Sequence, residues 1–417
     1  MKKIRYSLAS LMTLLLFTAC VNDSSDLITL KAIDEALRAE DVPEIAFNYD
    51  SYDTVEPASA IPADDNDYVE NTVFDHTIYV TYTDDNVTLS GDISAITATN
   101  IGAHLIIVSN SRNISYVLTG STSNGSFKIY SKNKFSLTLN NVSITNPTGS
   151  AINSQGQFGY GGVGTKTMYV VLPEGTSNTL TDGSVYVFSN SEQMKGTLFS
   201  EGQVVFSGAG SLTVNGNYKN GIASDDYILF RPGVNIGVNC VASQGHGIKA
   251  NDGITVRGGT LNIAVAGTAA KGINTDARIT VEGGRTTVIT SGSPLVELND
   301  TSSCAGLKCD STLYMHGGIV NLLSTGEGGK GINATGGIEM SGGQLTVVTT
   351  GIKGLSTPKG IKCGKEDSLL PGDMLVTGGS IYCYSTNSTA LDVKGTLTKA
   401  ENYLTFTDSG NLFVLKY

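Results

Sequence analysis

Tryptophan is absent from this 417-residue chain, histidine and proline are sparse at four and nine residues, and charged side chains make up only 16%. Without an indole, any sugar-stacking platform must come from the 18 tyrosines and 12 phenylalanines. The histidines, His76, His104, His246 and His316, are too scattered for a triad or a metal motif. Basic residues are outnumbered 27 to 38 by acidic ones, giving a formal charge of −11, and such a surface repels nucleic acid and anionic headgroups. No window keeps a 3.6-residue period, which excludes helical repeats.

What is present is repetition. Ile222, Ile248, Ile273, Leu307, Ile332, Ile361 and Leu391 form an apolar column spaced 25 to 34 residues apart, a period that marks stacked coils. Each column residue is followed by a short alternating strand, a Gly-Gly pair and a second alternating strand. The pairs Gly258/Gly259, Gly283/Gly284, Gly317/Gly318, Gly342/Gly343 and Gly378/Gly379 mark a corner that needs positive φ or has no room for Cβ. Ile254/Val256, Ile279/Val281 and Ile338/Met340 before the corner, with Leu261/Ile263 and Leu345/Val347 after it, point inward. Intervening positions such as Thr255/Arg257 and Tyr314/His316 imply one wet face on every strand. The predicted fold is all-β, a parallel β-helix with coils of roughly 25 residues about 4.8 Å apart. Fifty glycines suit a solenoid with many corners, and a solenoid has no size ceiling of the kind that limits a compact core.

The N-terminus reads as an export signal: Lys2, Lys3 and Arg5 precede an apolar run through Leu14-Leu15-Leu16-Phe17, too short for a transmembrane helix. With Thr18-Ala19-Cys20 it resembles a bacterial lipoprotein signal, which implies lipidation of Cys20 and anchoring in the outer membrane. Asn22 to Asp26 resembles the acidic stretch that sends some Bacteroidota-type lipoproteins to the outer face. Removing residues 1–19 deletes three basic and no acidic side chains, moving the charge from −11 to −14. Residues 20–72 read as a tether, with a short amphipathic helix allowed at 27–40 and an acidic spacer at 50–71. Residues 73–417 read as the β-helix domain. Beyond Cys20, Cys240, Cys304, Cys309, Cys363 and Cys383 form an odd set without metal-finger spacing. Cys309 and Cys363 fall two coils apart, roughly 9.6 Å, too far for a disulfide, so buried free thiols are expected.

Leu137-Thr-Leu-Asn-Asn-Val-Ser-Ile-Thr, the stretch Met168 to Gly183, and the Gly-Ile-Lys/Asn repeats at Gly247, Gly272, Gly331 and Gly360 resemble a family of secreted bacterial carbohydrate-binding β-helix proteins. The resemblance spans roughly Thr77 to Asp392. It implies a right-handed, single-stranded parallel β-helix related in shape to pectate lyases, binding pectic or cellulosic polysaccharide, with Ca2+ sites and no established catalysis.

Four residues after each repeat glycine stand Asp225, Asn251, Asp276 and Asp310, then Thr335 and Gly364. Alternation turns this column outward beside Lys249, Asn274 and Lys308. The four oxygen-bearing residues are candidate Ca2+ ligands, with Glu201, Asp226 and Asp252 secondary, because calcium takes six to eight oxygens. A solvated Asn/Asp turn ladder neutralised by lysines is the alternative reading. Lys249, Lys308, Tyr314, Tyr382 and Tyr384 are candidate sugar contacts. No catalytic residue is assigned: Arg257, Arg278, Lys249 and Lys308 sit near the Asp column as basic groups a lyase could use, and Asp276 with Glu282 could be drawn as a hydrolytic pair, but almost any acidic solenoid offers such parts. The expected activity is calcium-assisted, non-catalytic binding of polysaccharide at the cell surface by a monomer, with a lyase or hydrolase on the same scaffold, or a surface adhesin or stalk, as alternatives.

Overall fold

The computed structural model describes residues 65–109, 111–156, 167–188, 192–298, 300–366 and 368–416. The signal at residues 1–19, Cys20 and the helix allowed at 27–40 lie outside them. Among the described residues the chain is all-β, with helix confined to the 3-10 turns Asp65–Asp67, Val69–Asn71 and Ile93–Ala95.

Strands stack repeat on repeat in three parallel ladders, two joined in a 21-stranded sheet and the third in a 12-stranded one. The first ladder lies before the Gly-Gly corners and runs through Tyr227–Phe230, Gly253–Val256, Ile279–Val281 and Thr312–Met315. The second follows the corners through Asn235–Cys240, Thr260–Val265, Arg285–Thr290 and Ile319–Ser324. The third carries the apolar column: Ile222 pairs with Ile248, Ile248 with Ile273, Ile273 with Leu307, Leu307 with Ile332, Ile332 with Ile361 and Ile361 with Leu391. The inward residues of all three ladders form one continuous buried core. At the C-terminal end, Leu412–Lys416 pairs antiparallel with Asp373–Ser385 and with Thr405–Asp408, which closes the ladder edge with a hairpin.

Glycine makes the coil narrow enough for this core. A Cβ on Gly331 would lie 2.0 Å from Val347 Cγ1, and one on Gly272 would lie 2.1 Å from Val288 Cγ1. Gly221, Gly247 and Gly360 meet Val238, Ile263 and Cys383 in the same way. The glycine of each Gly-Ile repeat therefore leaves room for a second-ladder side chain pressing across the coil. At the corners, Gly284 has φ +71° and Gly343 φ +86°, and a Cβ on either would strike the carbonyl of a corner glycine one coil away. Both causes expected of the corner, positive φ and lack of space, operate together.

The outer faces depart from the expected uniform wetness. On the first ladder Tyr169, Val205 and Leu229 are buried, with Val69 and Phe74 packed against them. The last residues of the stretch read as an acidic spacer are thus docked on the body. Asp67 accepts from Arg257 Nη2 at 2.7 Å, and Arg257 also pairs with Glu282 at 3.5 Å; the three residues are 6%, 3% and 5% exposed. Tyr68 lies under Arg231, whose guanidinium carbon is 4.6 Å from the ring centroid, and Glu70 pairs with Arg231 at 2.7 Å. On the second ladder the outward residues Thr287, Ile289, Asn321, Leu323 and Val348 are also buried. Alternation separates the two sides of a strand, but it does not encode whether chain lies over the outer one.

Cys240, Cys304, Cys309, Cys363 and Cys383 are buried and unbridged. Cys309 and Cys363 stand on either side of Ala334, in coils two apart.

Two stability outcomes follow. Gly331→Ala should destabilise the fold by about 1–3 kcal/mol through overpacking against Val347, and an unchanged urea midpoint would contradict the close approach of the two walls. Asp67→Ala, which leaves the buried Arg257 short of one partner, should cost about 3 kcal/mol and make the segment around residues 65–74 sensitive to limited proteolysis.

Candidate functional site

The outer face of the third ladder carries a polar column, unbroken from Lys249 to Asp392. Its central column reads Ala223, Lys249, Asn274, Lys308, Asn333, Lys362 and Asp392, each paired with the next in register. From Lys249 to Lys362 the side chains are half-buried, alternating ammonium and carboxamide groups one coil apart, about 4.8 Å. Further toward the N-terminus the face is covered. Phe199 and Ala223 are buried, Glu192 pairs with Lys128 at 2.7 Å and accepts from the Tyr130 hydroxyl, and Lys195 reaches Asp225 at 2.5 Å.

The candidate metal column lies beside this ladder. Asp225, Asp310, Thr335 and Gly364 each donate a backbone N–H to the preceding coil, so the column is stacked as expected. Its carboxylates, however, are occupied. Asp225 holds Lys195 and receives Asn251 Nδ2 at 3.5 Å, Asp276 is paired with Lys249, and Asp310 is paired with Lys308. Among the described residues no three His, Cys, Asp or Glu side chains gather where they could hold a metal ion. This donor set does not fit calcium, which needs several converging oxygens; it fits the lysine-neutralised turn ladder. Of the secondary candidates, Glu201 Oε2 accepts the Gly156 N–H at 2.7 Å, Asp226 accepts the Tyr227 N–H at 2.8 Å, and Asp252 is exposed.

The other candidates separate. Arg257 belongs to the first ladder's outer face, buried between Asp67 and Glu282 and away from the Asp column. That arrangement removes it as a free base and removes Glu282 as a partner for the exposed, lysine-paired Asp276. Arg278 is exposed. Tyr314 stands before the corner, in register with Thr280 and Glu339, its ring stacked on His316 at 6.1 Å. Tyr382 and Tyr384 stand after the corner, in register with Thr346 and Val348, on a strand that the C-terminal strand pairs through Val414 and Leu412. The three tyrosines are outward, but they lie on two ladders and form no single platform.

A different set of rings does converge. Tyr186 and Tyr218 stack with centroids 4.2 Å apart and planes 17° apart, and Phe188 leans on both at 6.1 and 6.2 Å. They belong to turns on adjacent coils, since Ser177–Asp182 pairs with Ser211–Gly216. Both turns hang on the buried Asp182, which accepts from the Tyr186 hydroxyl at 2.6 Å and the Asn217 N–H at 2.6 Å. Burial raises the Asp182 carboxyl, and these donors oppose that shift. No periodic signal links residues 188 and 218, because the first lies in an irregular turn outside the strand repeat.

Basic groups also pin the turns that lead into the third ladder. Lys330 Nζ donates to Ser303 Oγ, Gly328 O and Ser356 Oγ at 2.6, 2.7 and 2.7 Å, and Lys271 Nζ donates to Ala269 O and Ser302 Oγ at 2.6 and 2.8 Å. Burial lowers both lysines to about 8. Beyond Gly292 the chain forms a hairpin, Leu295–Glu297 against Asp300–Ser302, and Lys271 holds its last residue. His246 Nδ1 accepts the Lys271 N–H at 3.1 Å, which requires a neutral imidazole. Burial first, then the charges of Lys271, Lys249, Lys308 and Lys219, pushes His246 down to about 3.

The fold is that of an all-β protein of stacked parallel ladders with a polar, in-register face. A family model described as carbohydrate-binding domain-containing protein matches residues 102–271 and 265–354, and the chain belongs to that family. Among curated proteins none matches. A solved structure titled "Structure of the polysaccharide lyase-like protein from C. thermocellum, Gadolinium derivative" is 20% identical with a TM-score of 0.51, covering 63% of this chain and 96% of that one. That likeness is one of fold. Among the described residues no helix is long and apolar enough to cross a membrane.

Because the folded-state pKa of His246 is depressed, its contribution is fully present above about 6.5 and is lost as pH falls toward about 3. His246→Asn should therefore show a smaller drop in urea midpoint between pH 7 and pH 4.5 than the native chain, as followed by circular dichroism; equal drops would contradict the assignment.

Proposed function

We propose that this protein binds polysaccharide without cleaving it, holding an extended glycan along the third-ladder column from Lys249 to Lys362. The observation that carries the reading is the in-register alternation of lysine and asparagine on that face. Sugar hydroxyls both donate and accept, and a carboxamide answers both needs while an ammonium donates only. A ladder repeating these groups along one line suits a ligand that repeats along its own length. The family to which the chain belongs supports a carbohydrate as that ligand.

The reading extends to architecture and location. The ladders support a right-handed, single-stranded parallel β-helix. The N-terminal sequence supports export and anchoring through a lipid on Cys20 in the outer membrane, facing outward, where the protein acts as a monomer. Binding at this face does not depend on calcium, since lysines already neutralise Asp276 and Asp310. The engagement of Arg257, Glu282 and Asp276 in ion pairs supports binding without turnover.

Affinity electrophoresis through gels containing polygalacturonate or soluble cellulosic polymer tests the reading. The native chain should be retarded, and Lys308→Ala combined with Asn333→Ala should weaken retardation about tenfold, or about 1.4 kcal/mol. Equal retardation of the variant would remove the ladder as the site, and release of unsaturated or reducing ends on incubation would show an enzyme.

A further inference from the structure

We propose that Phe188 and Tyr218 form a stacking platform for a neutral pyranose unit at the edge of the third ladder. The proposal rests on the reading that the chain binds polysaccharide, and it assigns a subsite that the ladder itself lacks.

The platform is exposed where a soluble surface has no need of it. Phe188 is 49% and Tyr218 37% exposed, beside Val185 at 62% and Val187 at 67%. A contiguous apolar patch of this kind marks an interaction site. Its position fits the ladder. The turn bearing Phe188 leads from Ser177–Asp182 toward Gly196–Ser200, and the turn bearing Tyr218 leads from Ser211–Gly216 into Asn220–Ser224, both of which are third-ladder strands.

The rings are also held before any ligand arrives. Tyr186, buried beneath Tyr218, is fixed by its hydroxyl on Asp182, and the Tyr218 turn is fixed by Asn217, whose Nδ2 donates to Asp182 O at 2.8 Å in addition to the backbone bond to the carboxylate. A buried carboxylate thus orients two turns from adjacent coils so that their rings pack. Ordering that is completed during folding does not weaken binding later.

The chemistry selects the ligand. A pyranose presents an apolar C–H face that packs on an aromatic ring, with hydroxyls at its rim. The exposed side chains of the patch are uncharged, and its one carboxylate, Asp182, is turned inward and saturated. Lys219, exposed at the next position, adds a donor at the rim. A neutral sugar unit is therefore the match.

The full chain is titrated with cellohexaose and followed by calorimetry and by tyrosine emission, which is readable because the chain has no tryptophan. The native protein should bind with a change in emission, and Phe188→Ala with Tyr218→Ala should lose tenfold or more in affinity at an unchanged urea midpoint. Phe188→Tyr, which keeps the ring, should retain binding. Should the double variant fold poorly, Phe188→Ser alone carries the same expectation. Native-like affinity of the folded variant overturns this proposal and leaves the ladder reading standing, whereas a native chain that binds no glycan overturns both. A native dimer that dissociates on the same substitutions, in sedimentation, also overturns it by giving the patch to a second copy.

Discussion

The close approach of the second and third ladders is the constraint on which the rest of the molecule depends. Val238, Ile263, Val288, Val347 and Cys383 press across the coil into the space that a side chain on Gly221, Gly247, Gly272, Gly331 and Gly360 would fill. This contact recurs coil after coil, so each turn has the same cross-section and like positions fall one above another. The apolar column, the Lys/Asn column and the Asp column are all consequences of that equal cross-section. Interiors at crystal-like density tolerate little deviation from it.

Three stacked parallel ladders offer three outer faces, and this protein treats them differently. The first carries residues 65–74, seated by an apolar contact with Tyr169, Val205 and Leu229 and by the buried Asp67–Arg257–Glu282 group. The second is buried in its middle coils, at Ile289, Leu323 and Val348, and half-buried at Asn239, Asn262 and Tyr382. The third keeps a polar column over much of its length. The functional reading concerns that face and the ringed turns at its edge.

Electrostatics on the third face is local. Asp276 and Asp310 are neutralised by lysines of the neighbouring column, which turns a candidate cation ladder into a row of ion pairs. Partly exposed pairs of this kind contribute little to stability, but they hold lysine and aspartate side chains in place along the surface. Lys271, Lys330 and His246 do a different task, supplying and accepting the hydrogen bonds that fix the turns leading into the face.

The sequence by itself determined the all-β class, the stacking of Ile248, Ile273, Leu307 and Ile332, the inward and outward alternation, the corner glycines and the unbridged cysteines. It did so because a coil contacts its neighbours at a spacing close to the repeat, and such contacts leave a period in the chain. The tertiary structure decided what no period records: that Asp67 reaches Arg257 across 190 residues, that Lys195 takes Asp225, and that Phe188 meets Tyr218. These residues stand in the docked segment, in irregular turns or in side-chain pairings, where three-dimensional proximity and charge, not spacing along the chain, select the partner.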